Sequence, residues 1–340
     1  MFQKVINGCV KVVQRYLPEP FIFAAILTVL AMALAMPICR QTPIEVIEHW
    51  GGGVWSLLAF AMQMALVLVC GSALAAAPVI KKGISFLASI PKTPVAAIAI
   101  VSCISALACW INWGFGLIVG VIFAKEVARK VKNIDYRLLI ASAYSGFVVW
   151  HAGLSGSIPL TMATPGDSLK EATNGILTSP VPISKTILEP HNLVIVLLII
   201  VALTLVNSLM HPKSGNVVTV DPELLTEEEQ KPAKKTSTPA EKLENSSILA
   251  CVIAGIGLVY LVIKLFFRGG SFDLNAVIML FLFLGLILHK TPLAYVHAFT
   301  NASKGLGTSS IPPSPGLSTF TNEILYMTRP VITAQAARMT

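Results

Sequence analysis

The sequence predicts an all-α, polytopic membrane protein with about six spanning helices and one re-entrant hairpin, and three observations lead there. Hydrophobic residues make up 55% of the 340 positions and charged ones 12%, where an ordinary soluble domain carries about 25% charged residues. Uncharged runs recur that reach the roughly 20 helical residues needed to cross a hydrocarbon layer of about 30 Å. Lys and Arg fall in short clusters between those runs, so the formal charge of +8 reads as a topology signal and not as a nucleic-acid surface. The six cysteines (Cys9, Cys39, Cys70, Cys103, Cys109 and Cys251) form no CxxC pair. They sit mostly in or beside apolar runs, where cysteine behaves as a small hydrophobe, and suggest neither a disulfide framework nor a metal site.

Lys4, Lys11 and Arg15 precede the first apolar run, Phe21 to Ile38. It is read as an uncleaved span because further apolar segments follow; a cleaved secretory signal is the alternative. The next spans are Val54 to Ile80, Leu138 to about Leu160, Leu193 to Met210, Ile248 to Ile263 and Leu274 to Leu288. Basic clusters place the N-terminus in the cytoplasm, Arg40 outside, and both the Lys81, Lys82, Lys92 loop and the Lys125 to Arg137 loop inside. The uncharged run Thr93 to Ala124 therefore begins and ends on one side. Its 32 residues are too few for two full spans and too many for one, which makes it a re-entrant hairpin at about 94–124.

The tip of such a hairpin is non-helical backbone at membrane depth, tolerated only inside protein or beside a water-filled cavity. Asn112, Gly114 and Gly116 suit it, with Trp110 and Trp113 as wedges. The alternative is one long tilted helix with an ordinary tryptophan belt. Continuing the same rule puts 164–189 outside, 211–244 inside, Arg268 outside and His289 with Lys290 inside. Up to residue 290, 17 Lys and Arg then lie inside and 5 outside. The domain reading is a first membrane repeat at 1–210, a flexible cytoplasmic linker at 211–245 and the start of a second repeat at 246–305. A divergent, non-membrane tail occupies 306–340.

A second irregular stretch, "YSGFVVWHAGLSGSIPLTMATPGD" at 144–167, starts as a helix and breaks down at Gly153, Ser155, Gly156, Ser157 and Pro159. Broken helices and hairpin tips are how secondary transporters aim helix dipoles at an anionic substrate and freed carbonyls at a coupling cation. Asn112, Trp113, Gly114, Gly116, Ser155, Gly156, Ser157 and Thr161 are the candidate substrate-binding residues. His151 and Thr164 are the candidate ion-coupling residues, His151 as the ionisable side chain deep in an apolar segment. The competing reading is that the small residues only permit close helix packing and that His151 is a neutral hydrogen-bonding residue. Lys264, at the end of its segment, is expected to snorkel. The chain carries no Walker loop, metal-ligand spacing or GxSxG elbow, so neither an enzyme nor a cofactor is indicated.

The stretches "RYLPEPFIFAAILT", "WGGGVWSLLAFAMQMALVLVCG", "INWGFGLIVG", "FAKEVAR", "GLSGSIPL", "ATPG" and "LILHKTP" make the chain resemble the short-chain fatty acid transporter family, the bacterial permeases associated with acetoacetate and butyrate uptake. The resemblance covers residues 12 to about 305. It implies an inner-membrane symporter built from two inverted repeats, each with a hairpin, taking a small monocarboxylate together with Na+ or H+, and a homo-oligomer is compatible with it. Family members continue past "LILHKTP" through further helices and a second hairpin. Here residues 306–340 read as frameshifted or truncated sequence, and the chain as given is expected not to concentrate substrate. A non-transporting membrane remnant, or a carrier of another small organic anion, are the other functions considered.

Overall fold

The computed structural model describes residues 20–53, 58–166, 169–170, 173, 175–212, 217–221, 225 and 238–307. The N-terminal 19 residues, most of the linker and the tail beyond 307 lie outside the described residues. No strand occurs among the described residues. Six helical stretches there are long and apolar enough to cross a membrane: Ile22–Cys39, Leu58–Ala75, Pro94–Ile111, Tyr136–Ala163, Pro190–Leu209 and Ser247–Phe267, with Leu274–His289 shorter.

The chain opens with α1 (Pro20–Cys39) and the short α2 (Pro43–Gly53). None of the Ile22–Cys39 window is buried inside the protein, as suits a helix whose apolar surface faces lipid. At the start of α2 the Thr42 N–H and hydroxyl both donate to Glu45 Oε2, at 2.7 and 2.9 Å. These bonds hold the Glu45 carboxyl below its usual range. Then come α3 (Leu58–Ala75) and α4 (Pro78–Leu87). The run read as a single span from Val54 to Ile80 is thus divided, because Pro78 at N1 starts a new helix after an extended Ala77 and cannot donate to the turn before it.

Next is the hairpin, α5 (Pro94–Ile111) and α6 (Trp113–Lys130), two antiparallel helices packed along their length. Thr93 caps α5 by accepting from the Ala96 N–H at 3.3 Å, with Pro94 at N1. Two features differ from the sequence reading. The break is a single residue, Asn112, and Gly114 and Gly116 already belong to the first turn of α6. The second arm also runs past Ala124 to Lys130, since its charges find partners. Arg129 pairs with Glu126 at 2.9 Å, Ser85 of α4 donates to Glu126 at 3.2 Å, and Lys130 reaches the Ser85 hydroxyl at 3.1 Å.

Asp135 caps α7 (Tyr136–Ser145) through the Leu138 N–H at 2.9 Å. A tight helical segment Gly146–Ala152 follows, then a break, then α8 (Ser157–Ala163). Beyond the loop, α9 (Pro190–Leu209) packs on the hairpin's first arm. After α10 (Pro239–Glu244) come α11 (Ser247–Val262), continued by a wide turn Ile263–Phe267, then α12 (Leu274–His289) and α13 (Pro292–Gly307).

The core has two main bodies. One lies where α5, α6 and α7 meet α4, around Ile98, Phe123 and Leu139. The other surrounds the hairpin tip, with Trp113 and Leu117 against Val67 and Leu68 of α3 and Val277 and Phe281 of α12. Lys264 does not snorkel. It pairs with Asp273 at 2.7 Å, and Asp273, 6% exposed in its side chain, caps α12 through the Ala276 N–H. The described part of the linker is also docked. Asp135 Oδ2 accepts from the Val218 N–H at 3.0 Å, the Tyr136 N–H donates to Val218 O at 2.8 Å, and Val220 and Leu225 are buried in the first core body.

Candidate functional site

The site is built at the one-residue break of the hairpin. Asn112 is extended (φ −154°, ψ 124°) and wholly buried. Its N–H closes α5 on Ala108 O, its Oδ1 accepts from the Phe115 N–H at 2.9 Å, and its carbonyl accepts from the Gly116 N–H at 2.8 Å. Asparagine is among the best residues for such a cap because its short side chain reaches the unpaired donors of the first turn. The Phe115 donor fixes which amide atom is oxygen. Asn112 Nδ2 is therefore turned the other way, and among the described residues it has no hydrogen-bond partner; neither has the buried Trp113 Nε1.

Opposite the tip, the broken helix supplies the counterpart. Ser155, also wholly buried, accepts from the Trp113 N–H through Oγ at 2.9 Å. The groups freed by the break are absorbed by protein. Leu154 N–H donates to Trp110 O at 2.7 Å, Trp110 Nε1 and Asn192 Nδ2 both donate to Ala152 O at 3.1 Å, and Trp150 Nε1 donates to Ser155 O at 3.2 Å. Irregular backbone at membrane depth persists only when its polar groups are satisfied in this way. Close approach does the rest. A Cβ on Gly153 would collide with Trp110 O, one on Gly71 would lie 2.5 Å from Asn112 Oδ1, and one on Gly114 2.8 Å from Leu68 Cα.

Of the residues named from sequence, the structure brings Asn112, Trp113 and Ser155 into direct contact. Gly114 and Gly116 serve helix contact, with α3 and with Cys109 of the other arm. Gly156 caps α8 and Ser157 begins it. Thr161 donates to Ser157 O at 2.7 Å and Thr164 to Leu160 O at 2.6 Å, each on its own helix. Thr164 also accepts from the Leu274 N–H at 3.3 Å, which ties α8 to α12. His151 is exposed and stacks on Trp150 with ring centroids 4.0 Å apart. Its ring contact leads on to the tip, since Trp150 in turn lies 5.4 Å from Trp113. Asn192 and Gly71 carried no signal in the sequence, because their role depends on which segment lies opposite.

The first thing these features define is a class: a multi-pass helical membrane protein in which a hairpin tip interlocks with a broken helix. The model for the family described as "Short chain fatty acid transporter" matches residues 1–310. A protein of Escherichia coli, provisionally named a short-chain fatty acid transporter, is 42% identical over 306 residues, covering 89% of this chain and 68% of the relative. One of Haemophilus influenzae with the same provisional name is 40% identical over 312 residues, covering 89% and 69%. The chain belongs to the short-chain fatty acid transporter family. No solved structure gives a significant match.

Proposed function

We propose that this protein is a secondary transporter, a symporter in the bacterial inner membrane with its N-terminus in the cytoplasm, for small monocarboxylates such as butyrate or acetoacetate. The observation that carries the reading is the pair of buried N–H donors without partners among the described residues, Asn112 Nδ2 and Trp113 Nε1, at the N-terminus of α6. A helix N-terminus carries about half a positive charge and suits an anion. Two further donors beside it match a carboxylate, which only accepts. The apolar wall of Phe147, Trp150 and Leu160 around Trp113 suits a short alkyl tail. With Asn112 and Ser155 wholly buried, substrate entry requires the tip and the broken helix to part, as alternating access demands.

Coupling to Na+ or H+ belongs to the same proposal, with His151 and Thr164 as the candidate residues. The deciding experiment is uptake of labelled butyrate and acetoacetate into vesicles with sodium and proton gradients imposed separately. Accumulation driven by one gradient supports the reading, and none above control vesicles under either overturns it in favour of the non-transporting membrane remnant. A flattened pH profile in His151→Gln assigns the proton to His151, and an unchanged profile removes that role.

A further inference from the structure

Away from the tip, three helices that pack on one another each carry a pair of polar side chains three residues apart and hence on one face: Ser102 and Ser105 on α5, Ser142 and Ser145 on α7, Thr204 and Asn207 on α9. Asn207 fastens the three helices together, Nδ2 donating to Ser102 Oγ at 3.0 Å and to Ser145 Oγ at 2.8 Å. Ser102, Ser105 and Ser142 are wholly buried and Asn207 is 8% exposed. Gly120 of α6 closes the group, because a Cβ there would lie 2.8 Å from Ser105 Oγ and 3.1 Å from Ala143 O.

The remaining three hydroxyls set this cluster apart from ordinary helix packing. Buried Ser and Thr in a helix usually return their proton to a carbonyl one turn back. Thr28, Thr161, Thr164 and Ser208 all do so here, at 2.9, 2.7, 2.6 and 2.6 Å. Ser105 Oγ, Ser142 Oγ and Thr204 Oγ1 do not, and have no hydrogen-bond partner among the described residues. Each unpaired buried hydroxyl is costly, and these three neutral oxygens lie on three helices that pack on one another beside the Asn207 bonds.

We propose that this cluster is a binding site for a dehydrated monovalent cation of sodium type. Neutral hydroxyl oxygens suit a hard cation, and the absence of any carboxylate among the six disfavours a divalent one, which takes charged oxygens. Once an ion is bound, each free hydroxyl can turn its proton to its own helix and a lone pair to the ion, so donors and acceptors are satisfied together. Ser105 stands two helical turns before Asn112 on α5, about 10 Å away along its axis. On the carboxylate reading of the tip, an ion here favours substrate there by about tenfold at that separation. Binding of the cation itself does not depend on that reading.

The test uses the purified 340-residue chain in detergent, with its unfolding temperature followed in sodium, potassium and choline chloride at equal ionic strength. Sodium at a hundred times its Kd should raise the transition by about 5 °C over choline. Ser105→Ala and Ser142→Ala should keep or raise the choline value and lose the sodium increment, while Asn112→Ala should keep the increment. Equal transitions in sodium and choline for the unmutated chain overturn the proposal without any variant and return the cluster to helix glue. An increment lost in Asn112→Ala and intact in both serine variants also overturns it, by moving the ion to the tip. If sodium binds here and butyrate uptake still fails, the cation site stands and the substrate reading falls.

Discussion

The Trp113 N–H donates to Ser155 Oγ at 2.9 Å, with both residues buried, so the first donor of α6 is satisfied by the broken helix and not by its own cap. Together with the Leu154 N–H to Trp110 O and Trp110 Nε1 to Ala152 O bonds, this bond fastens the hairpin tip to the break. Ser155→Ala should leave the Trp113 N–H unpaired and lower stability by about 1 to 3 kcal/mol, read as a shift of the denaturation midpoint. An unchanged midpoint would show that the bond does not hold the two elements.

Asn112 combines a cap with a donor, and substitution separates them. Serine caps as well as asparagine, so Asn112→Ser should still accept from the Phe115 N–H. It removes the Nδ2 donor without burying a charge. Membrane levels near those of the unmutated chain with butyrate KM raised tenfold or more is the expected result. Undiminished uptake would leave Asn112 as a cap alone.

Gly153 and Gly255 make a matched pair. A methyl on Gly153 meets Trp110 O, whereas Gly255 in α11 has nothing within 4 Å. Gly153→Ala should destabilise by about 1 to 3 kcal/mol; Gly255→Ala should be neutral or stabilise by up to about 1 kcal/mol. Thermal unfolding of the two variants in one detergent decides, and equal transitions would refute the close approach.

The Lys264 to Asp273 pair, at 2.7 Å with Asp273 nearly buried, should behave as a buried ion pair. Lys264→Ala strands the carboxylate and should cost about 3 to 5 kcal/mol. Adding Asp273→Asn removes the stranded charge while keeping the side-chain oxygen that caps α12, so the double variant should recover most of that loss. A double variant as unstable as the single one would point to packing and not charge.

Lys92 and Lys132 line the rim of one cleft of about 520 Å³ with Lys130 and Ser89, which places both ends of the hairpin at the same end of the molecule. Single cysteines at these positions, in a background lacking native cysteines, should be labelled only from the cytoplasm. Labelling of either from outside intact cells would refute re-entry.

What the sequence determined by itself was membrane class, the approximate spans, the hairpin with its tip within Asn112 to Gly116 and the break at Gly153 to Ser157. Each of those is a local signal: a missing charge over a span length, or a residue that interrupts a helix. Tertiary structure alone decided the rest. The second arm continues through Lys125 to Lys130 because Ser85 and Glu126 accept charges that sequence treats as a boundary. Lys264 turns to Asp273 because the wide turn at 263–267 and the short connection to Asp273 bring the two within reach. Ser102, Asn207 and Ser145 meet although 105 and 62 residues separate Asn207 from the others. Periodicity reports which face of a helix is polar, but the partner that satisfies a buried polar group is chosen by packing, and packing joins residues without regard to their distance along the chain.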